Sequence, residues 1–258
     1  MPSAVDAVRD WAATVASVSG VLSTICVFDV VQRATYHLRR DRYEESVSDM
    51  AAWMNRFTRL SGATHRVEGL EHVAPGQNYI VVSNHQSLLD IAMASEVLRD
   101  LKPRYVSKKE LATGIPGVSY YLRNGGCACI DRKDPAQAHA AIEELGRHVA
   151  EDHWTAVIFP EGTRTRTGAM KAFRSGGLRT LVTAAPHVPI LPLTTWGGAR
   201  LFRHKMKPLV RNVELGFHLH PPVMAPSPDD EAAFEAFVQQ LWRTIESALP
   251  EHDRRGEA

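Results

Sequence analysis

Beyond Gly62 the chain is written as short apolar runs, each closed by turn residues and followed by a helical stretch, the pattern that a largely parallel sheet with crossover helices imposes. Strands are expected at Arg66–Glu68, Tyr79–Ser83, Arg104–Val106, Cys127–Ile130, Ala156–Phe159, Ile190–Thr194 and Val213–Leu219. Helices are expected at Leu88–Leu98, Pro116–Arg123, Ala136–Glu151, Gly176–Ala185 and Asp230–Leu249. The fold class is therefore α/β, with a largely parallel or mixed sheet flanked by helices. No repeat or low-complexity linker interrupts it, so positions 61–258 read as one domain.

Positions 1–60 differ. The 18 residues from Trp11 to Phe28 carry no formal charge and as a helix would reach about 27 Å, marginal against a bilayer core of about 30 Å. This segment can span or lie flat. Asp6 and Asp10 offset Arg9, so the basic start of a cleaved signal peptide is missing. Downstream, Tyr43, Val47, Met50, Met54 and Phe57 share one helical face, while Arg42, Glu45, Asp49, Arg56 and Arg59 mark the other. That second helix either packs on the domain or completes a membrane-associated two-helix element, and in the latter case deleting positions 1–60 is expected to solubilise the protein.

The chain's balance of 30 Lys plus Arg against 29 Asp plus Glu hides an asymmetry. From Glu161 to Arg211 ten basic residues meet the single acid Glu161, which implies an anionic partner. Three cysteines, Cys26, Cys127 and Cys129, do not form a disulfide framework or a Cys-x-x-Cys zinc pair. Aromatic and basic residues are not interleaved as in a nucleic-acid reader, so nucleic acid is not the expected partner.

Four segments at strand ends carry the unusual chemistry. In the first, Ser83 to Asp90, His85 follows a strand and Asp90 lies in the next helix's first turn, an arrangement suited to a general base and its orienting carboxylate. Ser87-x-x-Asp90 also reads as a capping box, and spacing alone does not separate the two. The second, Phe159-Pro160-Glu161-Gly162-Thr163-Arg164, offers backbone N–H groups and a guanidinium to a phosphate monoester, or is a closed turn with a surface Arg. The third, Gly125 to Arg132, sets Arg132 at a strand end, as a phosphate ligand or as a partner of Asp131. The fourth, Val188 to Leu193, brackets an apolar strand with prolines, which marks an irregular or edge strand and suits the wall of an apolar pocket. His218 and His220 share a face of a late strand; a third metal ligand is not evident, and the structural reading is kept.

Together these blocks resemble the glycerolipid acyltransferase family, in particular its bacterial 1-acyl-glycerol-3-phosphate branch. Asn84, His85, Ser87 and Asp90 match its Asn-His-x-Ser-x-x-Asp block, Gly126 to Arg132 its second, Phe159 to Arg164 its third without change, and Val188 to Pro192 its fourth. Lys108-Lys109-Glu110-Leu111 and Phe173-Arg174-Ser175-Gly176 are lesser matches.

The resemblance implies acyl transfer from acyl-CoA or acyl carrier protein, as co-substrate rather than resident cofactor, to the hydroxyl of a lysophospholipid. His85 would be the base and Asp90 its orienter. Arg164 and Arg132 would hold phosphate, joined by Lys108 and Lys109, and Glu161, Gly162 and Thr163 would shape the acceptor pocket, with Glu161 receiving a substrate hydroxyl or holding the Arg. No metal is implied, membrane lipids are partners, and the place of action is the cytoplasmic face of the cell membrane. Cys127, Ala128 and Cys129 stand where bulkier residues are usual, which bears on acyl-chain preference. The rivals are another lysophospholipid or glycolipid acceptor, and a thioester or lipid hydrolase, although no Gly-x-Ser-x-Gly elbow is present.

Overall fold

The computed structural model describes residues 4–205 and 207–257; positions 1–3, 206 and 258, at the margins of the two expected segments or within them, lie outside the described residues. Its frame is a seven-stranded sheet in the order β1-β7-β6-β2-β5-β3-β4, formed by β1 (Thr64–Glu68), β2 (Ile80–Ser83), β3 (Pro103–Lys108), β4 (Ala128–Ile130), β5 (Thr155–Ile158), β6 (Ile190–Trp196) and β7 (Glu214–Leu219). Every neighbouring pair is parallel except β6 with β7, so the sheet is mixed.

The central strands are apolar on both faces, because helices cover both sides of a parallel sheet. Tyr79, Val81, Val157, Leu191 and Leu193 point into one core, packed under α2 (Arg40–Thr58) and α3 (Leu89–Val97). Ile80, Val82, Ala156, Ile158 and Ile190 point into the other, against α5 (Pro135–Glu151), α6 (Ser175–Ala184) and α8 (Glu231–Ser247). The starts of α5 and α8 are set by Asp134 and Asp230, whose side chains accept from the backbone N–H groups of Gln137 and Ala233. Each such cap contributes about 1 kcal/mol.

The proline-bracketed strand is not at an edge. β6 lies between β2 and β7, and all seven of its residues are buried. Its irregularity is a bulge: Leu193 pairs with Leu219, but Ile190 pairs with Val223, so three steps on β6 face four on the partner. Pro192, which lacks an N–H, falls in that gap and only accepts, from His220 N–H at 3.0 Å.

At the amino terminus α1 (Ala4–Leu38) runs 35 residues, well beyond the uncharged stretch. It pairs with α2 as a hairpin, and its pattern is inverted relative to a soluble helix. Thr14, Ser17, Gly20, Thr24 and Gln32 face inward, while Val5, Val8, Trp11, Val15, Leu22, Val27 and Val30 are exposed. The second helix does not offer its apolar face to lipid: Tyr43, Val47 and Met50 are buried, and Tyr43 and Val47 share the core cluster of the sheet. The hairpin therefore packs on the domain through α2, which lies against α3 and contributes Tyr43 and Val47 to the core beneath it.

Candidate active site

β2 and β5 are adjacent and parallel, so the loops leaving them emerge together at one end of the sheet, where α/β folds hold their ligands. The first loop carries His85 and the second carries Glu161, 76 positions later. Two backbone bonds clasp them: His85 N–H donates to Glu161 Oε1 at 2.8 Å, and Thr165 N–H donates to the His85 carbonyl at 2.8 Å. On the other side Asn84 extends β2 by one residue through its side chain, donating to the Thr195 carbonyl of β6 and accepting from Thr195 N–H, both at 2.8 Å. The His85 ring is stacked on Phe159, with centroids 4.2 Å apart.

His85 Nδ1 lies 2.8 Å from Asp90 Oδ2, and the carboxylate is 5% exposed. The same oxygen accepts from the backbone N–H of Gln86 at 2.6 Å and of Ser87 at 2.8 Å, and Oδ1 accepts from Ser87 Oγ at 3.0 Å. The two readings of Asp90 are thus one arrangement. The carboxylate satisfies free amides at the start of α3, and those amides fix it where it receives the Nδ1 proton. With Nδ1 protonated, Nε2 carries the lone pair, and the ring, with 13% of its side chain exposed, can take a proton from a bound hydroxyl.

Glu161 takes a different part from the expected one. Its carboxylate is 3% exposed and both oxygens are spent on backbone amides, Oε1 on His85 and Oε2 on Lys171 at 2.9 Å. Burial pushes its pKa up, partly opposed by those two amides. Through these two bonds it ties the His85 loop to the loop that follows β5. Gly162, at φ +68°, makes the sharp turn that leaves Thr163 and Arg164 exposed.

The other basic residues form a graded bank. Arg174 lies beside that turn, its Nη1 3.8 Å from where a side chain on Gly162 would begin. Its place in Phe173-Arg174-Ser175-Gly176 was the sequence signal for it. Lys108 and Arg132 stand at the ends of β3 and β4, which pair side by side with β3 next to β5, so β4, from which Arg132 emerges, lies two strand spacings, about 10 Å, from β5. Lys108 pairs with Glu110 at 3.0 Å and Lys109 with Asp131 at 2.5 Å, so both lysines carry a carboxylate partner. Asp131 is thereby engaged by Lys109, and Arg132 is exposed.

The thiols are placed as structural groups. Cys127 Sγ accepts from Tyr105 N–H at 3.4 Å, and burial pushes its pKa up to about 11; burial likewise raises that of Cys129. Neither is a ready nucleophile at neutral pH. His218 pairs with Glu68 at 3.1 Å and His220 meets Thr194 Oγ1 at 2.8 Å, so both serve the sheet's β1–β7–β6 side.

The family model described as Acyltransferase matches residues 64–196, just over half of the chain, and includes all four blocks. The chain is 31% identical over 188 residues to the 1-acyl-sn-glycerol-3-phosphate acyltransferase alpha of Mus musculus, an alignment covering 72% of this chain and 65% of that protein. It is 30% identical over 177 residues to the 1-acyl-sn-glycerol-3-phosphate acyltransferase of Haemophilus influenzae, covering 65% of this chain and 68% of the relative. Of the Homo sapiens alpha protein, 32% identical, it spans 53% of the length. The crystal structure of the 1-acyl-sn-glycerophosphate acyltransferase PlsC from Thermotoga maritima superposes with a TM-score of 0.72 over 97% of this chain and 95% of that one, at 23% identity, and so shares the fold. With the four blocks in order, the family model across them and the fold in common, the chain belongs to the Acyltransferase family.

Proposed function

We propose that this protein transfers a fatty acyl group from a thioester, acyl-CoA or acyl carrier protein, to the sn-2 hydroxyl of 1-acylglycerol-3-phosphate, giving phosphatidic acid. The observation that carries this reading is the His85–Asp90 pair at 2.8 Å, held by backbone amides beside an exposed guanidinium bank. The relatives, 1-acyl-sn-glycerol-3-phosphate acyltransferases by name, supply the substrate class.

In this mechanism Arg164 and Arg174, with Arg132 further out, neutralise the acceptor's phosphate and place its hydroxyl at His85. His85 Nε2 removes the hydroxyl proton as the alcohol oxygen bonds to the thioester carbonyl carbon. Asp90 stabilises the imidazolium that forms. When the tetrahedral adduct collapses, the C–S bond breaks and the imidazolium returns its proton to the departing thiolate. No enzyme nucleophile is needed, in keeping with the raised thiol pKa values of Cys127 and Cys129.

The membrane is the second partner in this reading. Water around the exposed apolar side of α1 would be costly, whereas lipid around it is favourable. A basic stretch after β6 is tied to the same helix: Leu209 N–H donates to Thr14 Oγ1 at 2.9 Å on the inward side of α1, and Arg211 lies 3.5 Å from Asp10, so the segment exposing Arg200, Lys205 and Lys207 is anchored to α1. That segment begins and ends at the same end of the sheet as His85, which supports a reading in which its basic surface and the active site face the lipid. We assign the protein to the cytoplasmic face of the cell membrane.

The test is thiol release from oleoyl-CoA by membrane-reconstituted protein, with and without lysophosphatidic acid, in the parent and in His85→Ala. Acceptor-dependent release that falls by about 10² to 10⁴ in His85→Ala is expected. Release without acceptor would make the protein a hydrolase, and wild-type turnover in His85→Ala would remove the histidine from its role.

A further inference from the structure

The end of the chain returns to the catalytic loop. A last helical turn, α9 (Glu251–Arg254), places Asp253 in the interior with no exposed surface. Its Oδ2 accepts from Gln86 Nε2 at 3.0 Å and from Gly197 N–H at 3.4 Å. Gln86 is the residue between His85 and Ser87. Its side chain completes a junction, with Nε2 also donating to the Gly168 carbonyl at 3.3 Å and Oε1 accepting from Ala199 N–H at 3.3 Å. The following residues continue the contact: Gly256 lies against Thr167 and Ala169, and Arg203 Nη2 donates to the Glu257 carbonyl at 2.6 Å.

Three loops at the active-site end of the sheet, those after β2, β5 and β6, therefore meet on one amide and one carboxylate that lie 167 positions apart in the chain. A buried carboxylate is costly unless it is hydrogen-bonded, and this one spends an oxygen on holding Gln86. The backbone N–H of Gln86 donates to Asp90 at 2.6 Å, so a shift of Gln86 moves the partner of His85 as well.

Resting on the acyl-transfer reading above, we propose that Asp253 is a positioning residue for that reaction: through Gln86 it holds the loop that sets His85 against Asp90. Asp253 touches neither substrate, so its loss acts on turnover and not on substrate affinity.

The test uses the full chain in detergent or vesicles. In Asp253→Ala, kcat is expected to fall roughly tenfold to a hundredfold, with KM for thioester and lysophosphatidic acid each within about twofold, the scale that a small misplacement of a catalytic group produces. Asp253→Asn keeps an oxygen facing Gln86 and Gly197 and recovers most of that loss. Gln86→Ala breaks the same link from the other side and reproduces the fall in kcat, and adding Asp253→Ala to it costs less than about a further twofold, because coupled residues are not additive. The hydrogen-bonded His85 Nδ1 proton, observed by NMR, is present in the parent and in Asp253→Asn and is lost or displaced in Asp253→Ala.

Unchanged kcat in Gln86→Ala, additive losses in the double variant, or an undisturbed Nδ1 proton in Asp253→Ala would each overturn the proposal. If the parent transfers no acyl group, the functional reading fails, and the Nδ1 proton still decides whether Asp253 positions His85.

Discussion

Asp90→Asn isolates the charge of the orienting carboxylate from its geometry. In the parent, Oδ2 receives three donors, His85 Nδ1 and the backbone N–H groups of Gln86 and Ser87, while Oδ1 receives only the Ser87 hydroxyl at 3.0 Å. An asparagine must put one NH₂ and one oxygen at these positions. Turning its NH₂ toward the two amides would leave both unpaired and buried, at about 1 to 3 kcal/mol each. The oxygen therefore stays with His85, the Nδ1–H tautomer is kept, and the NH₂ faces Ser87 Oγ.

What Asp90→Asn loses is the stabilisation of the imidazolium by a full negative charge. A hydrogen bond to a charged group contributes about 1.5 to 3 kcal/mol. About half of that is lost when the bond is kept but its acceptor becomes neutral, which at 1.36 kcal/mol per decade of rate is a fall in kcat of roughly 4-fold to 13-fold. Thermal unfolding should barely change. Asp90→Ala, by contrast, strips the acceptors from two backbone amides and a hydroxyl and should lose several kcal/mol of stability together with activity. The assay is acceptor-dependent thiol release beside circular-dichroism melting of the same preparations. Wild-type kcat in a folded Asp90→Asn protein would refute the assignment of Asp90 to His85, leaving it as a helix cap alone.

Three further outcomes are expected. Glu161→Gln presents one NH₂ to a backbone N–H that now meets an oxygen, so about 1 to 3 kcal/mol of stability is lost together with turnover, and a variant that melts and turns over like the parent would remove Glu161 from its loop-tying role. Arg164→Ala should raise the KM for lysophosphatidic acid about tenfold, as loss of one charge-assisted bond requires, with the thioester KM unchanged; the reverse split would move Arg164 to the donor site. His220, buried beside His218 and His72, has its pKa pushed down to about 4 from the usual 6.5, mainly by burial. It is neutral when folded and protonated when unfolded between those values, so stability is full above pH 6.5 and is lost as pH falls toward about 4, by about 3 kcal/mol in total. Urea titrations at pH 7, 5 and 4 should show that slope in the parent and a flatter one in His220→Gln; equal slopes would refute the assignment.

Which parts of the molecule could be read from the chain follows from the range of the interactions involved. The strands and helices after Gly62 were legible because periodicity and turn residues act within a few positions, and the His85–Asp90 pair because its two members sit on one strand-to-helix turn. Pro192 misled because a proline that a flat central strand would exclude is accepted at a bulge, and the bulge depends on where β7 stops. Glu161 misled for a similar reason: a carboxylate in a Gly turn looks available until the His85 loop is laid over it.

By itself, then, the sequence determined the α/β class, the order of the four blocks, the pairing of His85 with Asp90 and the presence of an apolar first helix. Only the tertiary structure decided that α1 turns its small polar residues inward, that α2 shares the core of the sheet, that Glu161 serves the backbone of His85, and that Asp253 reaches Gln86 across 167 positions. Each of those decisions depends on which groups lose water and find partners when distant segments meet, and that is a property of the packed chain, not of any stretch of it.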